Sequence, residues 1–475
     1  MRTFIKKLAC YLVVLLSIIV VSTTLQASEV NEIVTKTPPN VIYILADDAG
    51  INNFGSYGGT LIQTPNIDQI AAQGMRFTQH YSGSTLCAPS RSVLMTGKHT
   101  GNTRIRHNRD LALLNKDITV AKVFKKAGYK TGIVGKWGLG EANSTGIPNK
   151  QGFDYFFGYL NHGNAHRYYP EYLWRNETKI EYPNNLEKRT HYSHDLITEE
   201  ALAFIERNQK QAFFLYMAFT IPHVDLDVPE DSLAQYQGKL GEDDKPLWAE
   251  DYLRHPTPKA ALAGMISRMD RDVGKVMEKL ETLGLAENTL IMFASDNGPS
   301  AEGASPIEFF NSNGIYRGGK RDFYEGGIRM PFVAKWPVHI KANSINNHIS
   351  GFQDFLPTMA ELLDVEKPDD IDGVSFLPSL KGEKQQQRHS YLYWELESKF
   401  PLNAEKQALL QMPWKLLRLN PWYFWTEYEL YRLDEDPSEQ QNLAKQYPDK
   451  VAELKALMDQ AHGKNNDYPL AYYNE

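Results

Sequence analysis

The chain has 475 residues, a formal net charge of −7, 12 % aromatic residues and two cysteines. An acidic chain is a poor match for nucleic acid, because nucleic-acid-binding proteins concentrate lysine and arginine on one surface. Two cysteines exclude a fold held by several disulfides, and the length predicts one large α/β unit with a smaller one beside it.

The first 27 residues have the layout of a secretory signal peptide. Three basic residues precede a continuous apolar stretch from about Leu8 to Val21, and Ala27 offers a small residue for cleavage. A retained membrane anchor is the alternative, although the apolar stretch is short for a span. Cleavage removes three positive and no negative charges, which changes −7 to −10, and leaves Cys87 as the single cysteine. We expect a periplasmic or secreted protein of a Gram-negative bacterium, with no membrane contact after cleavage.

Buried strands alternate with amphipathic helices along most of the chain. Continuous apolar runs predict strands that are buried on both faces, in "NVIYILA", "GIVGK", "AFFLYMAF" and "TLIMFAS". Periodic apolar positions predict helices in "TPNIDQIAAQG", "SHDLITEEALAFIERNQ" and "ALAGMISRMDRDVGKVMEKLETLGL". This alternation predicts an α/β catalytic domain over residues 28–365, with a large mixed, mostly parallel sheet flanked by helices.

The pattern changes after about residue 365. The stretch "DDIDGVSFLPSL" is typical of a linker. Short strand signals follow in "HSYLYWE", "KQALLQMPWKLLRLN" and "EYELYRLDEDPSEQQNLA", and "PDKVAELKALMDQA" predicts a last helix. Residues 366–475 are therefore predicted to form a smaller C-terminal α+β subdomain.

Polar side chains follow four of the predicted strands. They are Asp47 and Asp48, Lys136, His223, and Asp296 with Asn297. Open α/β sheets bind ligands beyond the carboxyl ends of their strands, so we expect these side chains to share one site. Carboxylate and amide oxygens suit Ca²⁺ or Mg²⁺, and no nearby set of histidines and cysteines suggests zinc. A capped strand end or a turn explains either acidic motif alone, but the two together predict a hard-cation site.

Cys87 begins a predicted short helix, "CAPSRSVLMTG". A helix N-terminus stabilises negative charge, and Arg91 lies one turn along on the same face. The segment is a candidate anion site with a sulfur at its mouth. A buried structural cysteine and a thiol nucleophile with a histidine partner are the alternatives.

"CAPSRSVLMTG" also resembles the Cys-x-Pro-x-Arg signature of the type I, formylglycine-dependent sulfatases, which are arylsulfatase A-like members of the alkaline phosphatase superfamily. The stretches "ILADDAG", "GIVGKWGLG", "TIPHVDLDVP", "ASDNGP" and "GGKRDFYEGGIRMP" stand around it in the order of that family. The resemblance covers nearly all of the mature chain and implies an alkaline-phosphatase-like fold.

The resemblance implies a role for each of these residues. Cys87 would be oxidised by a sulfatase-maturing enzyme to Cα-formylglycine, an aldehyde that hydrates to a gem-diol. One Ca²⁺ ion, or Mg²⁺, would be bound by Asp47, Asp48, the modified Cys87, Asp296 and Asn297. The catalytic residues would be Cys87 itself, the cations Arg91, Lys136 and Lys320 around the sulfate, and His223 as the acid for the leaving alcohol.

One position departs from the family pattern. Many members have a histidine two residues after the lysine, where this chain has Gly138 in "GKWGLG". That histidine is credited with contacting the diol, so its replacement is open among His99, His162 and His166, each of which is otherwise a loop histidine. The segment "GYLNHGNAHRYYPEYLWRN" resembles that of polysaccharide-type bacterial sulfatases. We predict a substrate-facing loop there, in which His162, His166 and Arg167 bind sulfates or hydroxyls. A core-packed excursion is the alternative.

These features together predict an exported sulfatase that hydrolyses sulfate monoesters of a sulfated carbohydrate. The sequence favours a galactose-type polysaccharide such as carrageenan. Two alternatives stay open: a phosphomonoester or phosphonate hydrolase of the same superfamily, and a non-catalytic binder of sulfated glycans, suggested by Gly138. The expected partners are the sulfated carbohydrate and the maturing enzyme.

Overall fold

The computed structural model describes residues 38–108, 111–241, 252, 255–396, 405–419 and 426–467. The predicted signal peptide, residues 1–27, lies outside these ranges. Within them, no helix is both long enough and apolar enough to cross a lipid bilayer.

Eleven strands of the described residues form one mixed sheet. In chain order they are β1 (Asn40–Ala46), β2 (Met75–Tyr81), β3 (Lys130–Lys136), β4 (Tyr155–Tyr159), β5 (Tyr172–Arg175), β6 (Thr178–Glu181), β7 (Phe213–Ala218), β8 (Thr289–Ser295), β9 (Arg329–Lys335), β10 (Ser344–Asn346) and β11 (Ser350–Gly351). The spatial order is β10-β2-β9-β8-β1-β7-β3-β4-β5-β6, and β11 also pairs with β2.

The central strands are parallel, which confirms the predicted sheet. β8, β1, β7, β3 and β4 all run in one direction. β9 is antiparallel to both of its neighbours, and β4, β5 and β6 form an antiparallel ribbon at one edge. The segment that was predicted to be a substrate-facing loop therefore contains the end of β4 and all of β5, with the loop between them.

Helices cover both faces of this sheet. The helices of the described residues are α1 (Pro65–Ala72), α2 (Cys87–Thr96), α3 (Val120–Lys126), α4 (Asn185–Lys188), α5 (Ser193–Asn208), α6 (Glu230–Leu233), α7 (Pro258–Thr282), α8 (Glu325–Ile328), α9 (Phe355–Leu362), α10 (Leu377–Leu380) and α11 (Pro448–Ala461), and α11 packs on a second sheet instead. Alternate residues of β1 belong to two cores. Ile42 and Ile44 share a core with residues of α1, α5 and α7, and Val41 and Tyr43 share the other with residues of α2, α3 and α9.

A second, antiparallel sheet forms the C-terminal region. Its strands β12 (Leu392–Leu396), β13 (Lys406–Gln411), β14 (Trp414–Leu419) and β15 (Glu427–Arg432) are adjacent in chain order. One face packs on α11 through Leu416 and Leu454. The other face packs through Trp394 on Tyr81 and Leu86, so this sheet supports the segment that leads into Cys87.

The stretch interpreted as a linker packs against the main domain. Phe376, Leu377 and Leu380 are buried in the same core as Val41 and Tyr43 of β1. Their apolar side chains explain the difference, because three buried side chains in five residues anchor a segment. The domain boundary between residues 365 and 366 stays a prediction.

Candidate active site

The pairing of β1 with β8 brings two acidic motifs together. Ala46, the last residue of β1, is paired with Ser295, the last residue of β8. Asp47 and Asp296 therefore leave adjacent strands at the same level. The backbone N–H of Asp48 donates to Asp296 Oδ1 at 3.2 Å. β7, on the other side of β1, leads to His223, and β3 ends at Lys136.

Helix α2 delivers the cysteine to these strand ends. All ten of its residues are buried, and Cys87 is the first of them. The Cys87 thiol donates to Asp47 Oδ1 at 3.3 Å. One turn along, the Arg91 guanidinium donates to Asp296 Oδ2 at 2.9 and 3.0 Å, and to the Lys136 carbonyl oxygen at 2.7 Å. Arg91 thus ties the helix to the ends of β8 and β3.

Two lysines complete the cluster. Lys136 Nζ donates to Asp47 Oδ2 at 2.6 Å, and Lys320 Nζ donates to Asp48 Oδ2 at 2.8 Å. The Lys320 backbone N–H donates to the Pro299 carbonyl oxygen at 2.9 Å, which fixes its loop beside Asn297. Lys136 is completely buried and the Lys320 side chain is 4 % exposed. Three carboxylates and three cations are therefore buried together, and their charges cancel.

His223 is held in one tautomer. Its Nδ1 lies against the Val224 carbonyl oxygen, which can only accept, so Nδ1 carries the proton. Its Nε2 accepts from Lys320 Nζ at 2.9 Å and lies 3.5 Å from Asp48 Oδ2. Burial first, and then the charge of Lys320, lower the pKa of His223 well below its ordinary value.

The pKa values of two buried carboxylates are shifted in opposite directions: that of Asp296 is raised and that of Asp47 is lowered. Burial raises the pKa of Asp296 to about 7, and the neighbouring charge of Asp47 adds to this effect. Burial also opposes ionisation of Asp47, but the charges of Lys136 and Arg91 outweigh it and hold its pKa well below the ordinary value. Crowded, buried carboxylates of this kind are stabilised by an additional cation.

The carboxylate and amide oxygens of the cluster fit a hard divalent cation. One ligand atom from each of Asp47, Asp48, Cys87 and His223 lies within 4.8 Å of the others. Asn297 Nδ2 donates to Asp48 Oδ1 at 2.7 Å. Asn297 Oδ1 is buried and has no hydrogen-bond partner among the described residues. An unpaired buried amide oxygen costs free energy, and a bound cation would satisfy it.

A cavity of about 740 Å³ opens beside His223. His166, which lines it, stacks on the His223 ring with centroids 4.1 Å apart and planes 14° apart. Arg167 lines the same cavity, together with Tyr169. Burial lowers the pKa of His166 to about 2. Two of the three predicted substrate residues thus lie on one cavity wall next to the cluster.

His162 lies instead against Gly138. His162 Nε2 is 3.0 Å from the Gly138 carbonyl oxygen, so Nε2 donates and Nδ1 is unprotonated. A Cβ atom built on Gly138 would lie 2.3 Å from His162 Cε1. The imidazole of His162 thus fills the space that a side chain at position 138 would need. His162 Nδ1 is buried and has no hydrogen-bond partner in the described part of the chain.

His99, the third candidate to replace the missing histidine, is not brought to the site. It follows α2 at the end remote from Cys87, and a helix of ten residues is about 15 Å long. His99 Nε2 lies 3.5 Å from Asp372 Oδ1, and its ring packs on Tyr393 of β12. His99 therefore contacts the C-terminal region.

Several cavity residues carried no sequence prediction. They are Arg189, Asp225, Asp227 and Tyr252. Arg189 Nη1 donates to Asp227 Oδ2 at 3.1 Å, and the guanidinium carbon lies 4.0 Å from the centroid of the Tyr169 ring. Asp225 and Asp227 stand in the "TIPHVDLDVP" motif, so their proximity to His223 was a usable signal. Arg189 and Tyr252 lie in segments without a recognisable pattern.

The sequence and fold match known proteins along most of the chain. The sulfatase family model matches residues 39–365, and the model for the C-terminal region of N-sulphoglucosamine sulphohydrolase matches residues 314–464. The N-acetylgalactosamine-6-O-sulfatase of Bacteroides thetaiotaomicron is 30 % identical, over 89 % of this chain and 92 % of that protein. An arylsulfatase of Hemicentrotus pulcherrimus is 33 % identical over 75 % of this chain, which covers 64 % of that protein.

Among solved structures, Ps i-CgsB in complex with a neocarrahexaose superimposes with a TM-score of 0.77 and 25 % identity. That match covers 92 % of this chain and 96 % of the other. The family match spans the strand ends, helix α2 and the loop that carries Lys320. The chain therefore belongs to the sulfatase family and is a sulfuric ester hydrolase.

Proposed function

We propose that this protein hydrolyses sulfate monoesters of a sulfated carbohydrate, using a formylglycine made from Cys87 and one bound Ca²⁺ or Mg²⁺. The observation that carries the proposal is the convergence of Cys87, three carboxylates and three cations at the ends of adjacent strands. Export to the periplasm or medium is part of the proposal, supported by the predicted signal peptide.

Asp47, Asp48, Asp296 and Asn297 would hold the cation beside residue 87. Cys87 Sγ marks the place of a formylglycine oxygen, since it is 3.3 Å from Asp47 Oδ1. The hydrated formylglycine would supply a hydroxyl nucleophile, and the bound cation would lower the pKa of that hydroxyl. The unpaired Asn297 Oδ1 supports a cation at this position.

Arg91, Lys136 and Lys320 would bind and orient the sulfate. The Lys136 ammonium has three donors and uses one on Asp47, so it can also donate to a sulfate oxygen. Lys320 Nζ is hydrogen-bonded to Asp48 and His223 and lies 3.5 Å from Glu302 Oε2, so it would bind sulfate in place of one of these partners. The protein charges cancel, and a divalent cation would add two positive charges. Buried positive charge of this kind attracts a monoanionic ester and stabilises charge on the leaving oxygen.

His223 and Lys320 would hold the proton for the leaving alcohol. Because Nδ1 of His223 is bound to a backbone carbonyl oxygen, Nε2 is the nitrogen that exchanges protons. Lys320 already donates a hydrogen bond to this Nε2 at 2.9 Å. A proton shared between the two groups lies beside the cavity, where the departing oxygen can take it.

His162 is our assignment for the histidine that Gly138 lacks. Its imidazole fills the space of a side chain at position 138, and its unprotonated Nδ1 is unpaired. Burial first, and then the charges of Lys136 and Arg91, lower its pKa well below the ordinary value. The ring contacts Gly138, which follows Lys136 by two residues, so it lies beside the end of β3. Neutral Nδ1 can accept a proton or a hydrogen bond there.

The substrate class is supported by the cavity and by the relatives. A volume of about 740 Å³ can hold a drug-sized ligand or a short sugar segment. Tyr169 and Tyr252 offer aromatic faces, and Arg167 offers a cation for a second sulfate. One relative is named for an N-acetylgalactosamine sulfate ester, and one structural neighbour holds a neocarrahexaose. We therefore propose a galactose-type sugar, as in carrageenan.

The test begins with protein produced together with a sulfatase-maturing enzyme. Mass spectrometry of the peptide that contains residue 87 measures conversion, and sulfate release from defined carrageenan and chondroitin oligosaccharides measures turnover. We expect release that depends on conversion and on a divalent cation, with Cys87→Ala as the inactive control. Activity with an unmodified Cys87 would overturn the mechanism.

The same protein should prefer an aryl sulfate to the matching aryl phosphate. A preference for phosphate would favour the phosphomonoester or phosphonate hydrolase. Binding of sulfated oligosaccharides by fully converted protein, without any sulfate release, would favour the non-catalytic binder.

A further inference from the structure

A second cavity, of about 950 Å³, lies at the edge of the large sheet opposite to the ribbon of β4, β5 and β6. We call it the edge groove. Gln79 of β2 and Ile345 of β10 form one wall, residues 381–385 and 388–391 form another, and residues 410–412 at the end of β13 close it. None of its lining residues lines the cavity beside His223.

The edge groove is remote from the active site. Its strand β10 is separated from β1 by β2, β9 and β8. Neighbouring strands lie about 4.8 Å apart, so four steps place β10 about 19 Å from the strand that carries Asp47 and Asp48. A ligand in the edge groove would therefore not touch the catalytic cluster.

Four cations line the edge groove: Lys341, Lys381, Lys384 and Arg388. One carboxylate, Glu383, stands among them. Within the described ranges none of the four cations has an ion pair, whereas Arg91, Lys136 and Lys320 are all paired with carboxylates. Unpaired positive charge gathered around a concave surface attracts anions, and it does so against a net chain charge of −7.

The edge groove also offers apolar contact and fixed polar groups. Ile345 is 59 % exposed, and Tyr391 also lines the cavity. His389 Nε2 lies 2.6 Å from Asp354 Oδ1, so this histidine is already neutralised by a carboxylate. Sugar rings present apolar faces and hydroxyl groups together, and cations beside an apolar patch match a sugar that carries anionic substituents.

We propose that the edge groove is an accessory binding site for a sulfated segment of the polysaccharide substrate, away from the ester that is hydrolysed. The identity of this ligand rests on the proposed function, under which the substrate is a sulfated polysaccharide and therefore a polyanion. A polymer held at one site reaches the other at high effective concentration. The edge groove would thus lower KM for long chains and leave short oligosaccharides unaffected.

A charge-reversal variant tests the edge groove. Lys341→Glu, Lys384→Glu and Arg388→Glu change three exposed side chains that make no ion pair in the described residues, so the fold should be retained. The matched control is Lys126→Glu, Lys210→Glu and Lys445→Glu, at three exposed, unpaired lysines of the described chain outside the edge groove. Each triple lowers the net charge by the same amount. Thermal unfolding checks that both variants fold.

Binding is measured in a Cys87→Ala background, so that the polymer stays sulfated. The probes are carrageenan, the same polymer after chemical desulfation, and a DNA duplex of similar length. At about 0.05 M salt, where surface charges are little screened, we expect the groove variant to lose at least about tenfold in affinity for carrageenan. The control should lose less than about threefold. Desulfated polymer should bind neither protein well.

Turnover separates this proposal from the proposed function. With residue 87 converted, the groove variant should keep its kcat/KM on a sulfated disaccharide within about twofold and show a raised KM on the polymer. Equal carrageenan affinity in the groove variant and the control would overturn the proposal. Binding of DNA as tight as that of carrageenan would also overturn it. Lost disaccharide turnover with intact polymer binding would count against the proposed function only.

Discussion

Two buried clusters of charge in this protein look alike in composition and differ in what they leave unsatisfied. One is the catalytic cluster around Asp47 and Asp48. The other, which we call the subdomain cluster, consists of Glu325, Lys415 and Glu439. Lys415 Nζ lies 2.9 Å from Glu325 Oε1 and 2.9 Å from Glu439 Oε1, and all three side chains are buried.

The subdomain cluster links the C-terminal sheet to the catalytic domain. Lys415 belongs to β14, and Glu325 begins α8, just after the loop of Lys320. Glu325 Oε2 accepts from the Tyr81 hydroxyl at 2.8 Å and pairs with Arg329 at 3.2 Å. Both carboxylate oxygens of Glu325 are therefore used, and none of the three cluster residues lines either cavity.

The comparison shows which observation identifies a functional cluster. Shifted pKa values occur in both places, because burial and neighbouring charges produce them wherever ions are buried. In the catalytic cluster, Asn297 Oδ1 has no hydrogen-bond partner among the described residues, and His223 stacks on His166, which lines a cavity. In the subdomain cluster, Glu439 Oε1 also makes no hydrogen bond among those residues, but it lies 2.9 Å from the Lys415 ammonium, so an ion pair stabilises it. Under the proposed function, the catalytic cluster would receive a further ion and a substrate, whereas the subdomain cluster links the two sheets.

Cys87→Ala should have the largest effect, a loss of activity without a large loss of stability. Removal of the nucleophile precursor should lower kcat by at least about 10⁴-fold. The free energy of unfolding should change by about 1 kcal/mol or less, because one sulfur atom leaves a small cavity. Sulfate release and chemical denaturation measure the two quantities. Residual turnover above one part in about 10³ would contradict the assignment of Cys87.

Lys415→Met should have the opposite effect, a loss of stability without a large loss of activity. It leaves Glu325 and Glu439 buried without their shared cation, which should cost about 3–5 kcal/mol. Denaturation midpoints measure this loss, and kcat measured well below the midpoint should stay within about threefold. Adding Glu439→Gln should restore part of the stability. A large fall in kcat without a loss of stability would contradict the comparison.

His162→Ala should lower kcat by about 10²-fold, because the substitution removes a histidine that can accept a proton beside the cluster. His99→Ala is the matched control at the far end of α2 and should change kcat by less than about twofold. Nitrogen NMR of labelled histidine gives a second readout. We expect His162 to be protonated on Nε2 and its Nδ1 resonance to shift when sulfate binds. An Nδ1-protonated His162 would contradict the assignment.

Glu439→Gln should have the smallest effect, visible only as pH dependence. Burial raises the pKa of Glu439 to about 7, above its ordinary value of 4.5. Between about pH 5 and 7 the folded chain therefore holds a proton that the unfolded chain has lost, so Glu439 stabilises less as pH rises. The free energy of unfolding of the variant, relative to the parent, should rise by about 2 kcal/mol from pH 5 to 8. A pH-independent difference would contradict this.

The sequence predicted the strand ends well, for a physical reason. Runs such as that of β1 are apolar on both faces, which is typical of central parallel strands, and parallel strands all end at one edge of the sheet. The edge shared by Asp47 and Asp296 followed from the pattern. The direct pairing of β1 with β8 did not, because strand order depends on contacts between residues about 250 positions apart.

The contacts between loops could not be predicted. The packing of His162 on Gly138 joins two loops that are 24 residues apart, and the stacking of His166 on His223 joins loops from different strands. No local pattern encodes such contacts, since they depend on how the chain returns across the sheet edge. The sequence predicted a mixed sheet but did not identify β9 as an antiparallel strand. Its apolar residues fit either orientation.

The complete burial of helix α2 constrains the timing of maturation under the proposed function. Cys87, Pro89 and Arg91 are all enclosed once the chain has folded. An enzyme that reads these three residues in sequence can reach them only while this part of the chain is still open. Oxidation of Cys87 would therefore have to precede the burial of helix α2. A chain that folds before oxidation would keep Cys87 as an unmodified thiol. The fraction of active protein would therefore depend on the relative rates of oxidation and folding during synthesis and transport.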